Sequence, residues 1–351
     1  MKIFKILFIA PSNSIHAYKW IKFFSHNNKY DVTWVSFYKL NNDFDTKNLK
    51  YIELSNFSIV KSFFRLKKLI KENNFEIIHL HYLGIKSYLV LFFNFKKLFI
   101  SPWGSDLKLV KTFSLKFFLI KAILNKSNLT TIDAEFMRDE IFRFTNKKNN
   151  IVRINFGTDT EKFHFNSSVL EHKKLKIISL RNLETIYSLE TLIKAGKILK
   201  KNKIDFKIDI YAEGNEKKKL NNLIEKLDLN NNISLMGRYN YEELPQLLSK
   251  YNLYVSTSTT DAGIAASTSE AMSSGMIVIS ADNSENKFWM SDKCGFLFKT
   301  KSEKDLVEQI LKVQALPSSK ITLIKRNARN KILKYNSYVN EMTKIAEYYE
   351  K

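Results

Sequence analysis

The chain has 351 residues, 44% of them hydrophobic, and 57 Lys and Arg against 35 Asp and Glu give a net charge of +22. That length carries two domains of ordinary size. The single cysteine, Cys294, excludes an internal disulfide and suits a reducing compartment, no apolar run reaches the roughly 18 residues of a membrane span, and the scattered lysines with no zinc, ribonucleoprotein or basic-zipper motif argue against a nucleic-acid partner.

The first residues loosely mimic a signal peptide, but the apolar core is short and Pro11 follows at once, so 3–9 reads as a buried strand. A helix over 17–25 and a strand over 31–36 follow. Next comes a helix over 60–71, then strands over 77–80 and 98–101. Helices over 114–125 and 135–144 bracket a strand over 129–131, and a strand over 151–154 closes the first half. The expected end at Leu80 leaves only His81 of the pair His79 and His81 beyond the strand. In the second half, strands are expected over 175–180, 205–211, 233–235, 253–256 and 276–280. Helices are expected over 189–201, 216–227, 242–248 and 302–316, and a long last helical stretch begins at Lys320. Strand runs alternating with helical ones argue for parallel sheets flanked by helices.

The fold class expected is therefore α/β, two doubly wound Rossmann-like domains facing across a cleft that receives the carboxyl ends of the strands. The domains are read as 1–163 and 164–330, with a C-terminal helix over 331–351 packing back on the first. Residues 1–160 carry 26 basic and 12 acidic side chains. Within them, 61–71, 86–97 and 111–121 interleave phenylalanine with lysine, the pattern of a surface that lies on anionic lipid.

The segment 261–280 holds the most chemistry. Six of the seven residues over 263–269 are Gly, Ala, Ser or Thr, so a ligand can approach the backbone closely. Those residues lead into a helix N-terminus, which favours a phosphate. Glu270, farther along that helix, is placed to accept from sugar hydroxyls. The plainer alternative is a helix start whose small residues only pack closely.

The ordered motifs of the chain resemble those of the family 4 retaining glycosyltransferases of the GT-B fold. Ile15, His16, Ala17 and Trp20 resemble the family's first loop and helix. Ile77, His79, Leu80 and His81 resemble its His-x-His strand. Trp103, Gly104, Ser105 and Asp106 resemble its Trp-Gly-Ser-Asp turn. Asn155, Gly157, Asp159 and Phe163 resemble its interdomain turn, and Arg181 with Leu183 its diphosphate-facing step. Gly214 and Gly237 stand in two further family turns, and Glu270 to Gly275 match Glu-Ala-Met-Ala-x-Gly.

The resemblance implies transfer of a sugar from a uridine or guanosine diphosphate sugar to a surface polysaccharide or lipid-linked glycan, without cofactor or metal, by an enzyme peripheral to the inner face of the cytoplasmic membrane. It implies catalytic roles for Asp106, Arg181 and Asp261. It implies donor contacts from Arg181, Asn182, Gly263, Ile264, Ala265, Ala266, Ser267 and Glu270, and acceptor-side contacts from His16, His81 and Trp103. The chain departs from the family at four places. Ala262 stands where the family often has a first Glu, Ile186 where it has a diphosphate lysine, Trp103 where it has a His, and Pro11 to Ser14 replace a glycine-rich loop. These departures keep open a catalytically inactive binding subunit, and a nucleotide-sugar epimerase of the same fold is the other alternative.

Overall fold

The computed structural model describes residues 2–47, 49–108, 110–146, 150–165, 175–261 and 263–351. The chain forms two compact units, Met1–Phe156 with Asn340–Lys351, and Gly157–Val339. The change at Phe156 comes ahead of the boundary at 163 read from the sequence, because the turn over 158–163 is bonded into the second unit. Thr158 Oγ1 donates to Ser269 Oγ at 2.7 Å, and Arg329 donates to the carbonyls of Thr160 and Phe163.

In the first unit the chain runs β1 (Phe4–Ile9), α1 (Ile15–Ser25), β2 (Tyr30–Ser36), β3 (Lys50–Glu53), α2 (Ile59–Asn73), β4 (Ile77–His81), a 3-10 helix (Ile85–Phe92), β5 (Lys97–Ser101), α3 (Ser105–Lys108), α4 (Leu115–Lys126), β6 (Leu129–Ile132), α5 (Phe136–Phe142) and β7 (Ile151–Arg153). The strands form a parallel sheet of order β3-β2-β1-β4-β5-β6-β7. Serine side chains start two of the helices, Ser58 accepting from the Lys61 amide and Ser114 from the Phe117 amide. The edge strand β3 was not expected; its four residues, Lys-Tyr-Ile-Glu, are too few to show a period of two.

Because strand side chains alternate, the sheet has two distinct faces. Leu7, Ile9, Ile78, Leu80, Leu98 and Ile100 join one core with residues of α2, the 85–92 helix, α4 and α5. Phe8, His79, His81 and Phe99 point to the other face, where they meet aromatic rings of α1 and of the C-terminal helix. Strand β4 does not stop at Leu80, as the sequence reading had it. His81 is registered against Ser101 of β5, so both histidines lie inside the sheet and share its α1 face.

The second unit runs β8 (Leu175–Ser179), α6 (Leu189–Lys201), β9 (Phe206–Ile210), α7 (Lys217–Lys226), β10 (Ile233–Leu235), α8 (Leu244–Leu248), β11 (Leu253–Ser256), α9 (Ala266–Ser273), β12 (Ile277–Ala281), α10 (Asn286–Met290), β13 (Phe296–Phe298), α11 (Glu303–Gln314) and α12 (Ser318–Tyr335). A last helix, α13 (Tyr338–Glu350), carries the chain into the first unit from Asn340, so the stretch 331–351 is not the single returning helix expected: its first residues end α12 and pack in the second unit through Ile332. The parallel sheet has the order β10-β9-β8-β11-β12-β13, so the direction of winding reverses between β8 and β11. The three-residue edge strand β13 also went unread. Ile177, Ile208, Val255 and Ile279 face one core with α6, α7 and α11. Ile178, Tyr254 and Val278 face the other with α8, α9, α10 and α12.

Arg329 of α12 is the clasp of that second layer. Its guanidinium reaches the Phe163 carbonyl, both the carbonyl and hydroxyl of Ser273 at the end of α9, and the Thr160 carbonyl. Lysine has a point charge where this position uses a fork. Arg329→Lys is therefore expected to lower stability by about 1.5–3 kcal/mol, the range for hydrogen bonds to charged groups. The urea midpoint measures it, and an unchanged midpoint would contradict the clasp.

Candidate active site

In the second unit, the loops after β8 and β11 meet at the winding reversal, where open α/β sheets receive ligands. Arg181 leaves β8 two residues past its end. Its side chain is 11% exposed, and its Nη2 donates to Asp261 Oδ1 at 2.5 Å; Asp261 is itself 7% exposed. The guanidinium also lies 4.4 Å from the centre of the Tyr187 ring. Its Nε is buried with no hydrogen-bond partner. Burial raises the Asp261 carboxyl above its ordinary value, against the pull of Arg181 and Ser258. Ser258 Oγ approaches the same carboxylate oxygen at 3.3 Å, and the Asp261 amide donates to Ser284 Oγ. Asn182, by contrast, is exposed.

The two loops are sewn together through the backbone. Ile186 O accepts from the Thr259 amide and hydroxyl, both at 2.9 Å, and Tyr187 O accepts from Thr257 Oγ1 at 2.7 Å. Gly214 lets a third loop close on the first, since a Cβ there would stand 2.4 Å from the Leu183 carbonyl oxygen.

The segment 263–265 leads into α9, and Gly263 is buried, Ile264 and Ala265 half-buried and Ala266 exposed. Ala262 lies outside the described residues. No side chain caps the start of α9. Ser267 Oγ and Tyr254 OH are 2.7 Å apart, and Thr268 Oγ1 donates to Tyr254 OH at 3.4 Å. Glu270, buried about one turn into α9, accepts from Tyr241 OH at 2.9 Å. The Tyr239 hydroxyl is pushed up first by burial and then by Glu270 and Tyr254, and pulled down by Arg181. One hydroxyl therefore senses both Arg181 and Glu270, which the structure brings into one neighbourhood 89 residues apart in sequence. Tyr239, Tyr241 and Tyr254 were not picked out from the sequence. The signal available was a lone hydroxyl inside the apolar run Leu253-Tyr254-Val255.

The first unit gathers its own cluster. His16, in the first turn of α1, lies with its ring 4.5 Å from Phe156. Trp103 packs edge-on to Phe156 and beside Tyr82, and its Nε1 is buried without a partner. Trp20 touches Phe156 on one side and His81 on the other. Thus His16, His81 and Trp103, distant in sequence, join one aromatic group. Asp106 sets its edge. Both carboxylate oxygens are taken by backbone amides, Oδ2 by Leu83 at 2.9 Å and Oδ1 by Trp103 at 3.0 Å, and the side chain is buried. Burial raises its carboxyl despite those amides. Asp106, to which the resemblance gives a catalytic role, shapes the turn that carries Trp103.

Two family profiles match the chain, "Glycosyl transferases group 1" over residues 160–331 and "Glycosyl transferase 4-like" over residues 5–134. The UDP-N-acetylglucosamine–peptide N-acetylglucosaminyltransferase GtfA subunit of Limosilactobacillus reuteri is 34% identical over 110 residues, which are 31% of this chain and 21% of that protein. The amylovoran biosynthesis glycosyltransferase AmsK of Erwinia amylovora is 29% identical over 143 residues, 39% of this chain and 35% of that one. The chain thus matches only a minor part of the length of these relatives. Among solved structures, a glycosyltransferase from Rickettsia africae superposes with TM-score 0.83 at 16% identity, over 100% of this chain and 98% of that one. The Anabaena protein HepE in complex with UDP superposes with TM-score 0.78 at 15% identity, over 98% of each chain. These likenesses make the fold GT-B.

The buried histidines have a consequence for stability. Burial holds His81 down to about 3 and His79 well below the ordinary value, with His81 adding to the shift of His79. Above pH 6.5 both are neutral folded or unfolded. Below it the unfolded chain takes up protons that the folded chain refuses, so stability falls as pH drops from 6.5 toward 3. The slope expected is about 1.4 kcal/mol per pH unit for each histidine. Urea midpoints at pH 7.5 and 5.5 test this, and His81→Phe should flatten the slope; equal midpoints for the unaltered chain would refute it.

Proposed function

The chain belongs to the group 1 glycosyl transferases, and from that premise we propose that it moves a sugar from a nucleoside diphosphate sugar to a surface polysaccharide or lipid-linked glycan, with retention at the anomeric carbon. The observation that carries the reading is the Arg181 guanidinium, buried at the winding reversal, clamped by Asp261 and Tyr187, with its Nε unpartnered. Bond cleavage in the donor leaves negative charge on the departing diphosphate. A fixed, nearly dry cation stabilises that charge more in the transition state than in the ground state. The amides at the start of α9 supply further donors, as a helix N-terminus does for phosphate.

In this reading Glu270, oriented by Tyr241, takes the ribose hydroxyls. Asp261 holds Arg181 and contacts the donor sugar, while Asn182 and residues 263–267 line the donor. His16, His81 and Trp103 form the acceptor side, and Asp106 positions Trp103 through its backbone. The first unit takes the acceptor and the second the donor. No resident metal is needed where Arg181 and backbone amides meet the diphosphate. A uridine nucleotide is the donor type favoured, because the Anabaena relative is solved with UDP and with UDP-glucose and the Limosilactobacillus relative is named for UDP-N-acetylglucosamine. The role of the Erwinia relative in amylovoran biosynthesis supports a polysaccharide acceptor, and so a site of action on the inner face of the cytoplasmic membrane. Ile186, in place of the family's lysine and well exposed, favours a second reading in which the chain binds the donor without turning it over.

A panel of uridine and guanosine diphosphate sugars, followed by thermal unfolding, tests the donor site. One of them at a hundredfold excess over its Kd should stabilise the chain by about 2.7 kcal/mol. Glu270→Ala and Arg181→Lys, which keeps charge but loses the fork, should each remove most of the shift. No shift from any sugar nucleotide would overturn the proposal. Release of free nucleoside diphosphate on adding a glycan acceptor separates transfer from binding alone.

A further inference from the structure

Seventeen large hydrophobic side chains are exposed among the described residues, and eight of them lie on three helical elements of the first unit: Ile59, Val60 and Phe64 of α2, Ile85 and Phe92 of the 85–92 helix, and Phe113, Leu115 and Phe118 at and before the start of α4. Phe113 is 81% exposed. Chains seldom leave so many large apolar groups together in water without a partner. The three elements are neighbours. Phe63 of α2 meets Phe92 and stacks on Phe93, and Lys126 at the end of α4 donates to the Leu91 carbonyl at 2.8 Å. All three pack on the same sheet core, so their outer sides make one surface.

The charge of that surface is one-sided. Residues 59–126 hold thirteen Lys and Arg against three acids. Of the three, Asp106 is buried, Glu76 pairs with Lys2 and Glu72 with Lys68. Lys61, Lys67, Lys71, Lys111, Lys116 and Lys121 are exposed between the phenylalanines. A protein partner of matching shape would need a groove or a buried centre, and this surface offers protruding rings among solvated cations instead. Rings that enter the acyl boundary and ammonium groups that stay at the headgroups are the two demands of an anionic bilayer.

We infer that the outer side of α2, the 85–92 helix and α4 is a docking surface for an anionic lipid bilayer. Its use in the cell rests on the membrane-borne acceptor proposed above; its chemistry does not. The rings supply apolar burial that resists salt, and the lysines supply attraction that salt screens. The whole chain should therefore sediment with vesicles of phosphatidylglycerol and phosphatidylcholine and far less with phosphatidylcholine alone, and binding should weaken as salt is raised.

Two sets of exposed variants separate the two contributions, with circular dichroism checking the fold. Phe64→Ser, Phe92→Ser and Phe113→Ser combined should weaken binding at least about tenfold, as expected for lost apolar burial. Lys61→Ser, Lys111→Ser and Lys116→Ser should cost roughly fivefold per residue and flatten the salt dependence. Equal sedimentation with both vesicle types, wild-type binding by either variant set, or self-association that hides this face and blocks lipid would each overturn the inference. Sugar-nucleotide stabilisation, measured on the same variants, should be unchanged. Its absence from every form would sink the transferase reading and leave the docking surface standing.

Discussion

Burying a guanidinium at the one place where the second sheet changes direction sets most of the local architecture. A nearly dry cation needs a counter-charge, and Asp261 supplies it from the loop after the neighbouring strand. That pairing fixes where the two loops lie. The Tyr187 carbonyl then accepts from the Thr257 hydroxyl and the Ile186 carbonyl from the Thr259 amide and hydroxyl, and Ser258 and Ser284 bond the aspartate's carboxylate and amide. Such a pair contributes little net stability, since desolvation offsets attraction. What it provides is a charge held in one orientation, with an N–H group left unused for an incoming anion.

The first unit solves a different problem with the same strand geometry. A period of two sends Leu7, Ile78 and Leu98 to one side and Phe8, His79 and Phe99 to the other. The aliphatic side is covered by helices whose outer surfaces are rich in lysine and phenylalanine. The aromatic side is covered by α1 and α13, with Tyr349 bonded to His79 and Trp20 to Tyr349. His79 bonds the Tyr349 and Ser101 hydroxyls, both ring nitrogens of His81 are without a partner, and burial keeps the two imidazoles neutral. One sheet thus separates a group of polar aromatic side chains from a surface suited to lipid.

The departures from the family pattern read differently once side chains have neighbours. Trp103, in place of histidine, is half-buried in an aromatic group and keeps a single unpaired donor. Ile186, in place of lysine, is exposed, and its contribution is a carbonyl that ties two loops. Asp106 retains the family residue, yet its oxygens serve backbone amides.

The sequence by itself determined the two α/β units, eleven of the thirteen strands among the described residues and the small-residue approach to α9, while Arg181 was singled out only by the family resemblance. Those features are local, because apolar periodicity and small-residue runs are set by residues a few positions apart. It missed β3 and β13, which are too short to be periodic, and it ended β4 one residue early because only pairing with Ser101 shows that His81 is inside. Tertiary structure alone decided that Asp261 pairs with Arg181, that Tyr241 bonds Glu270, and that Asp106 accepts from the Leu83 and Trp103 amides. Those choices join residues tens of positions apart, and burial, which no local pattern records, determines which charge must find a partner.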